Sequence, residues 1–301
     1  MPRGGYNHNR KNLFLRGKIM DIQWYPGHMA KAKRLLAEKI KLVDTAVVVT
    51  DARAPLSTFN PDIPKLLSGK SFIVLLNKAD LADEEMTALW ERHYKEKYGN
   101  ALSFSAIKSH RRALIGAINA ASLEAVRKYA AKGMKKTVRA LVCGVPNAGK
   151  SAVINRLIGK NSAATADKPG VTKGLQWLKV TDGLELLDSP GLLWPKIESE
   201  DASENLAIVG CIRQEITDTV ALSLALIEKL KKTAPGALRE RYGAKGGDPR
   251  DVLEQICANR GFLVKNGGID FERGARTLLN EFRGGRLGRI TLESPHICEE
   301  Q

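Results

Sequence analysis

The sequence predicts an α/β fold, in which a mostly parallel sheet flanked by helices is followed by a C-terminal all-α domain. Short apolar runs alternate with helical patterns in the first half of the chain, as is typical of parallel strands buried on both faces. The predicted strands are residues 46–49, 72–76, 101–104 and 138–143, and the predicted crossover helices are residues 84–98 and 111–131.

A β-hairpin is predicted next, because residues 175–180 and 184–187 flank the dipeptide Asp182-Gly183. This dipeptide is a common two-residue hairpin turn, so we expect an antiparallel edge on the sheet. From Ser203 onward the β pattern fades, and the predicted helices are residues 207–231, 249–259 and 271–282.

Three parts of the chain are expected. Residues 1–19 contain no acidic residue and form a basic, disordered arm; an organelle transit peptide, or a start at Met20, are the alternatives. Residues 20–200 form the α/β domain, which includes a basic amphipathic helix over residues 28–43. Residues 201–301 form the helical domain.

The charge is strongly positive, with 48 Lys+Arg against 33 Asp+Glu and a formal net charge of +15. Such an excess favours a polyanionic partner, with nucleic acid as the leading candidate and simple solubility as the alternative. The four cysteines are far apart and read as reduced thiols. No apolar run reaches the roughly 18 residues of a membrane span, so we expect no membrane association.

A phosphate-binding loop is indicated by Gly144-Val-Pro-Asn-Ala-Gly-Lys-Ser151, which follows a predicted strand and opens a helix. Its glycines let backbone N–H groups face phosphates, and the helix N-terminus adds its positive dipole end. Lys150 is expected to reach the β- and γ-phosphates, and Ser151 to bind Mg²⁺. The predicted phosphate-binding residues are Asn147, Ala148, Gly149, Lys150, Ser151 and Ala152.

A second phosphate-side motif, Asp188-Ser-Pro-Gly191, follows the second hairpin strand. There we expect Asp188 to hold Mg²⁺ and the Gly191 N–H to meet the γ-phosphate. Thr172 lies between the two motifs and is suited to close over Mg²⁺, although a turn hydroxyl is the alternative.

The motif Asn77-Lys-Ala-Asp80 predicts which nucleotide base is bound, and it directly follows the apolar strand at residues 72–76. An ionised carboxylate only accepts hydrogen bonds, so Asp80 pairs with the N1–H and amine of guanine, which adenine does not offer. Lys78 can lie over the guanine ring, and Ala79 lies between Lys78 and Asp80 in the sequence. Ser105-Ala106 can offer a backbone N–H to the guanine oxygen. GTP and GDP are therefore the expected ligands.

The order of these motifs is rotated, because the base-reading motifs precede the phosphate-reading ones. With this order, the chain resembles the circularly permuted P-loop GTPases of the ribosome biogenesis GTPase A (YlqF) type. The resemblance extends from Ile22 nearly to the end, through residues 22–32 (IQWYPGHMAKA), 51–57 (DARAPLS) and 282–293 (FRGGRLGRITLE). Residues 1–19 depart from it.

The resemblance implies a cytoplasmic GTPase that uses Mg²⁺ and acts in assembly of the large ribosomal subunit. Its implied partners are the subunit precursor and its rRNA, which the helical domain meets. No DNA specificity is expected, and a monomer is the default because no heptad or long edge strand favours self-association. Two alternatives remain: a permuted GTPase of small-subunit or organellar ribosomes, and an RNA-binding scaffold that holds GTP with little turnover.

The water-orienting group is unusual, because Leu192 stands where Ras-like enzymes carry glutamine after the DxxG glycine. Leucine cannot hydrogen-bond to water, so the orienting group must come from elsewhere in the chain or from a partner. The resemblance places His28 near the nucleotide, so His28 is the candidate catalytic residue beside Lys150; capping a helix or touching RNA are its alternative roles.

A monovalent cation is a further expectation, because Asn147 resembles the asparagine that helps to hold K⁺ in cation-dependent GTPases. An asparagine that the loop merely tolerates is the alternative. Basic residues near the C-terminus are candidate rRNA phosphate contacts, with a solvated basic face as the alternative. They are Arg273, Arg276, Arg283, Arg286 and Arg289.

Overall fold

The computed structural model describes residues 37–67, 69–159, 176–189, 197, 199–212, 218–265 and 267–295. Within these residues, six strands form a single sheet in the order β3-β2-β1-β4-β6-β5. The strands are β1 (Thr45–Asp51), β2 (Ser71–Asn77), β3 (Ala101–Ser103), β4 (Val138–Gly144), β5 (Gln176–Thr181) and β6 (Leu184–Asp188).

The central strands are buried on both faces, as their continuous apolar sequences predict. All seven residues of β1 are buried, and β1 pairs in parallel with both β2 and β4. β3 and β6 extend the parallel sheet on its two sides. The predicted hairpin is confirmed, since β5 runs antiparallel to β6. The α/β fold class is therefore confirmed.

The first helices cover the sheet, and the later ones follow it in the sequence as the helical part of the chain. In the described part of the chain, those with defined bounds are α1 (Asp62–Leu66), α2 (Glu84–Tyr98), α3 (Arg111–Ala121), α4 (Leu123–Ala130), α5 (Lys150–Ile158), α6 (Glu200–Ile208), α7 (Thr219–Thr233), α8 (Ala237–Tyr242), α9 (Pro249–Arg260) and α10 (Phe271–Arg283).

Two predicted long helices are each divided. Residues 111–131 form α3 and α4, because Ser122 leaves the helical conformation (φ −97°, ψ 1°) while its hydroxyl donates to the Ile118 carbonyl. Residues 207–231 belong partly to α6 and partly to α7. Gly210 has a φ of +82°, a left-handed conformation that ends the first of these helices.

The basic helix predicted over residues 28–43 is helical at residues 37–40, and residues 28–36 lie outside the described part. The helix ends earlier than predicted. The N–H groups of Leu42 and Val43 bond to carbonyls three residues back, which tightens the chain into a turn.

The hydrophobic core has two parts, one on each face of the sheet. One part contains Trp90 and Tyr94 of α2. The other starts beneath α3 and α5 and continues without interruption into α6, α7, α9 and α10. The C-terminal helices thus share a core with one face of the sheet.

Residues 284–293, here called the C-terminal strap, return from α10 to the sheet. The Leu292 N–H donates to the Arg53 carbonyl at 2.7 Å, and the Trp90 indole N–H donates to the Glu293 carbonyl at 3.0 Å. The Glu293 carboxylate is buried and accepts from the N–H groups of Leu56 and Ser57. The strap therefore fastens the end of the helical part onto the nucleotide-motif part.

Cys143, Cys211 and Cys257 are buried free thiols. Burial raises the pKa values of Cys143 and Cys211 to about 12, which keeps both thiols protonated. Among the described residues, no helix has the length and apolar character of a membrane span.

Candidate nucleotide-binding site

Asn77 joins three of the predicted motifs. It is the last residue of β2 and is buried, with 1% exposure. Its amide oxygen accepts from the Ala106 N–H at 3.2 Å, and its amide nitrogen donates to the Ala148 carbonyl at 2.8 Å. The two base-reading motifs and the phosphate-binding loop therefore meet at one side chain, despite their rotated order.

Gly149 of the phosphate-binding loop approaches Asn77 so closely that no side chain fits between them. An added Cβ would lie 2.2 Å from the Asn77 amide nitrogen. Gly149 also has a φ of +96°, which disfavours any other residue. The glycine is thus required for contact between the loop and the base-reading motif.

Lys78 spans the same junction. Its ammonium group donates to the Asn147 carbonyl at 2.9 Å and pairs with Asp51 Oδ2 at 2.8 Å. Lys78 has a φ of +61°, a conformation that non-glycine residues adopt rarely and that occurs often at functional sites. Next to it, the Ala79 N–H donates to the Phe104 carbonyl at 3.1 Å, and Asp80 is half-buried.

Asp51 and Arg53 form a buried ion pair beside Lys78, and neither residue is among the predicted site residues. Arg53 binds both carboxylate oxygens of Asp51, with distances of 2.9 and 2.7 Å. Burial opposes ionisation of Asp51, but Arg53 and Lys78 outweigh it and hold the pKa of Asp51 well below its usual range. The sequence signal that could have identified these two residues is an acid and a base at the carboxyl end of an apolar strand.

On the phosphate side, Lys150 begins α5, followed by Ser151 and Ala152. The Lys150 ammonium is buried and donates to the Val145 carbonyl at 2.9 Å. Burial lowers the pKa of Lys150 to about 8, and the nearby Asp188 acts in the opposite direction. Asp188 ends β6 and is buried, so a cation and an anion approach the start of α5 together.

The phosphate-binding loop also touches the helical part. Asn147 has a φ of +59°, and its amide nitrogen donates to the Gly210 carbonyl at 3.1 Å. Close by, the Arg283 guanidinium donates to the Ala207 and Ile208 carbonyls at the end of α6. The loop is therefore in direct contact with the turn that follows α6.

The predicted residues divide into two groups. His28, Thr172 and Gly191, together with Leu192, lie outside the described residues. The others converge at the carboxyl ends of β2, β3, β4 and β6 and at the start of α5. They are Asn77, Lys78, Ala79, Asp80, Ser105, Ala106, Asn147, Ala148, Gly149, Lys150, Ser151, Ala152 and Asp188.

This arrangement suits a guanine nucleotide with Mg²⁺. The N-terminus of α5 presents backbone N–H groups and a lysine, which is the usual setting for phosphates. The Ser151 hydroxyl and the Asp188 carboxylate are hard oxygen donors of the kind that Mg²⁺ prefers. At the other end, the half-buried Asp80 carboxylate can accept from guanine.

Comparisons with known proteins agree with this geometry. Residues 139–244 match the model of a family described as 50S ribosome-binding GTPase. The ribosome biogenesis GTPase A of Bacillus cereus is 42% identical over 287 residues, which is 94% of this chain and 97% of the relative.

Two solved structures are also similar. Crystalline GNP-bound YlqF from Thermotoga maritima is 30% identical, covers 88% of this chain and 98% of its own, and has a TM-score of 0.64. A GDP-bound YlqF structure is 29% identical, covers 86% and 98% of the two chains, and has the same TM-score. Together with the converging motifs, these similarities show that the chain is a circularly permuted GTP hydrolase of ribosome biogenesis and belongs to the ribosome biogenesis GTPase A family.

Proposed function

We propose that this GTPase acts in maturation of the large ribosomal subunit in the cytoplasm, where its nucleotide state controls binding to the subunit precursor and its rRNA. The match of residues 139–244 to a family described as 50S ribosome-binding GTPase supports this subunit. The formal net charge of +15 supports an RNA partner, because each neutralised phosphate releases counterions.

In this proposal, the base-reading motifs of the site select guanine. Asp80 accepts from the guanine N1–H and amine, and the Ala106 N–H, which donates to the Asn77 amide oxygen, is shared with the guanine oxygen. Lys78 covers the ring while its ammonium bridges Asn147 and Asp51. Asn77 reads no base atom directly in this scheme; its two hydrogen bonds hold Ala106 and Ala148 in place.

At the phosphate end, backbone N–H groups from Asn147 to Ala152 surround the phosphates, and Lys150 exchanges its Val145 carbonyl partner for phosphate oxygens. Gly191 completes the γ-phosphate contacts. Ser151, Thr172 and Asp188 would hold Mg²⁺, which when bound neutralises charge on the β- and γ-phosphates. These side chains position the triphosphate for attack by water.

We infer that the chain is divided into a basic arm at residues 1–19, a permuted GTPase domain at residues 20–200 and a helical domain at residues 201–301. In the sequence, the Asp188–Gly191 motif shortly precedes the helical domain, and Asn147 touches the turn at Gly210. A change at the γ-phosphate therefore has a short mechanical route to the helical domain.

The proposed RNA-facing surface lies on α10 and the adjoining turns. Arg273, Arg276 and Arg286 are exposed, and Arg273 stacks on Phe262. Exposed guanidinium groups beside an aromatic ring suit phosphate and base contacts. By contrast, Arg283 and Arg289 bind carbonyl groups within the chain, as the bonds of each side chain show.

Gly149→Ala tests the junction of base and phosphate motifs. Because the new methyl group displaces Asn77, we expect GDP affinity to fall by at least about tenfold, equivalent to 1.4 kcal/mol. Titration with a fluorescent GDP analogue measures the affinity. Gly99→Ala is the matched control, since Gly99 also has a positive φ but an added Cβ there meets nothing within 4 Å. Equal GDP affinity in both variants would contradict the assigned junction.

Binding to ribosomal particles tests the proposed switch. We expect the GTPase to bind large-subunit precursors at least about fivefold more tightly with a non-hydrolysable GTP analogue than with GDP, within the usual range of allosteric coupling. Co-sedimentation measures binding, with small-subunit precursors as control. Equal binding in both nucleotide states, or preference for small-subunit particles, would refute the proposal.

His28 is our candidate for orienting the attacking water, because Leu192 cannot do so. We expect His28→Ala to slow particle-stimulated GTP hydrolysis by about a hundredfold, the lower end for loss of a general base, while GTP affinity stays unchanged. Phosphate release is the measurement, and His8→Ala in the N-terminal arm is the matched control. Wild-type turnover in His28→Ala would remove His28 from the mechanism.

Asn147 is our candidate K⁺ ligand. Its amide nitrogen is engaged by the Gly210 carbonyl, which directs the amide oxygen to act as the acceptor for a cation. We expect hydrolysis to be several-fold faster in KCl than in NaCl at the same ionic strength, and Asn147→Ala to abolish that difference. Identical rates of phosphate release by the wild-type protein in the two salts would defeat the idea.

A further inference from the structure

The C-terminal strap binds the loop that carries the guanine-reading carboxylate. This base loop, residues 78–83, connects β2 to α2. The Ile290 N–H donates to the Leu81 carbonyl at 3.1 Å, and the Thr291 hydroxyl accepts from the Asp83 N–H at 3.1 Å. The strap thus holds the backbone immediately after Asp80.

Arg289 makes the most extensive of these contacts. Its guanidinium donates to the Ala82 carbonyl at 2.8 Å and to the Ala79 carbonyl at 3.3 Å, and pairs with Glu84 at 2.9 Å. A planar guanidinium can serve several acceptors at fixed angles, which a lysine cannot. The Arg289 side chain therefore hydrogen-bonds to the base loop on both sides of Asp80.

Apart from the strap, the Lys78 ammonium bonds to Asn147 and Asp51 at the start of the base loop, and the Asp83 side chain accepts from the Met86 N–H at its end. On the sheet side, the Ala79 N–H bonds to the Phe104 carbonyl, and the Leu81 N–H bonds back to Lys78 within the loop. The backbone carbonyls of Ala79, Leu81 and Ala82 all face the strap. The direction of the Asp80 side chain depends on the backbone that these carbonyls fix.

We propose that Arg289 is a positioning residue for guanine recognition: by fixing the carbonyls of Ala79 and Ala82, it holds Asp80 where the guanine N1–H and amine are bound. The inference rests on the proposed nucleotide site and extends it to the end of the chain, more than 200 residues from Asp80 in sequence. Arg289 touches no nucleotide atom and acts through the base loop.

Arg289→Ala tests this role in the full-length protein. We expect the dissociation rate of GDP to rise about five- to tenfold, as loss of a hydrogen-bonded charged group implies. Inosine diphosphate lacks the amine that donates a hydrogen bond to Asp80, so its release should accelerate less than that of GDP. The ratio of the two release rates, which measures discrimination between the nucleotides, should therefore fall. Displacement of fluorescent analogues of each nucleotide in a stopped-flow instrument measures both rates.

Arg92→Ala is the matched control, because Arg92 is an exposed arginine of α2, the helix that follows the base loop. It should release both nucleotides at wild-type rates. Thr291→Val removes a second strap contact and should shift GDP release in the same direction as Arg289→Ala. Thermal unfolding shows whether each variant remains folded.

Failure of the proposed nucleotide site and failure of the role of Arg289 would give different results. If the wild-type protein failed to bind GDP, the proposed site itself would be wrong. If it binds GDP and Arg289→Ala releases GDP at the wild-type rate, the role of Arg289 is overturned, whatever Thr291→Val does. Equal acceleration for GDP and inosine diphosphate would also overturn it, since general loosening does not act through the amine contact.

Discussion

The nucleotide site depends on the two hydrogen bonds made by the side-chain amide of Asn77. This amide joins Ala106 on one side to Ala148 on the other, and it is buried. A buried amide has both a donor and an acceptor to satisfy, so only an arrangement that brings both partners close avoids a desolvation cost. The approach of Gly149 depends on the same side chain.

The rotated motif order is compatible with this junction because of the position of β1. It pairs in parallel with β2 on one side and β4 on the other, so the carboxyl ends of these strands lie at one edge of the sheet. Ligand sites in open α/β sheets form at that edge. Strand adjacency, and not chain order, brings the base and phosphate motifs together.

The rotation also determines where the helical part is attached. Its first turn, at Gly210, touches Asn147 on the phosphate side, and the C-terminal strap touches the base loop. Between these points, Arg53 donates to the Arg283 carbonyl and pairs with Asp51, which also binds Lys78. Arg283 in turn places its positive charge at the carbonyl end of α6, where the helix dipole is negative. The helical part thus contacts both ends of the site.

The sequence alone was enough to predict the chemistry of the site, because each motif is a short local pattern that follows a recognisable buried strand. Asp80 predicts guanine and Lys150 predicts phosphate without any knowledge of the distance between the two side chains. Tertiary structure decided what local patterns leave open. Ser122 and Gly210 interrupt helices that periodicity alone would continue. The pairing of Arg289 with the base loop also depends on how the chain folds back across more than 200 residues, and no local pattern encodes that return.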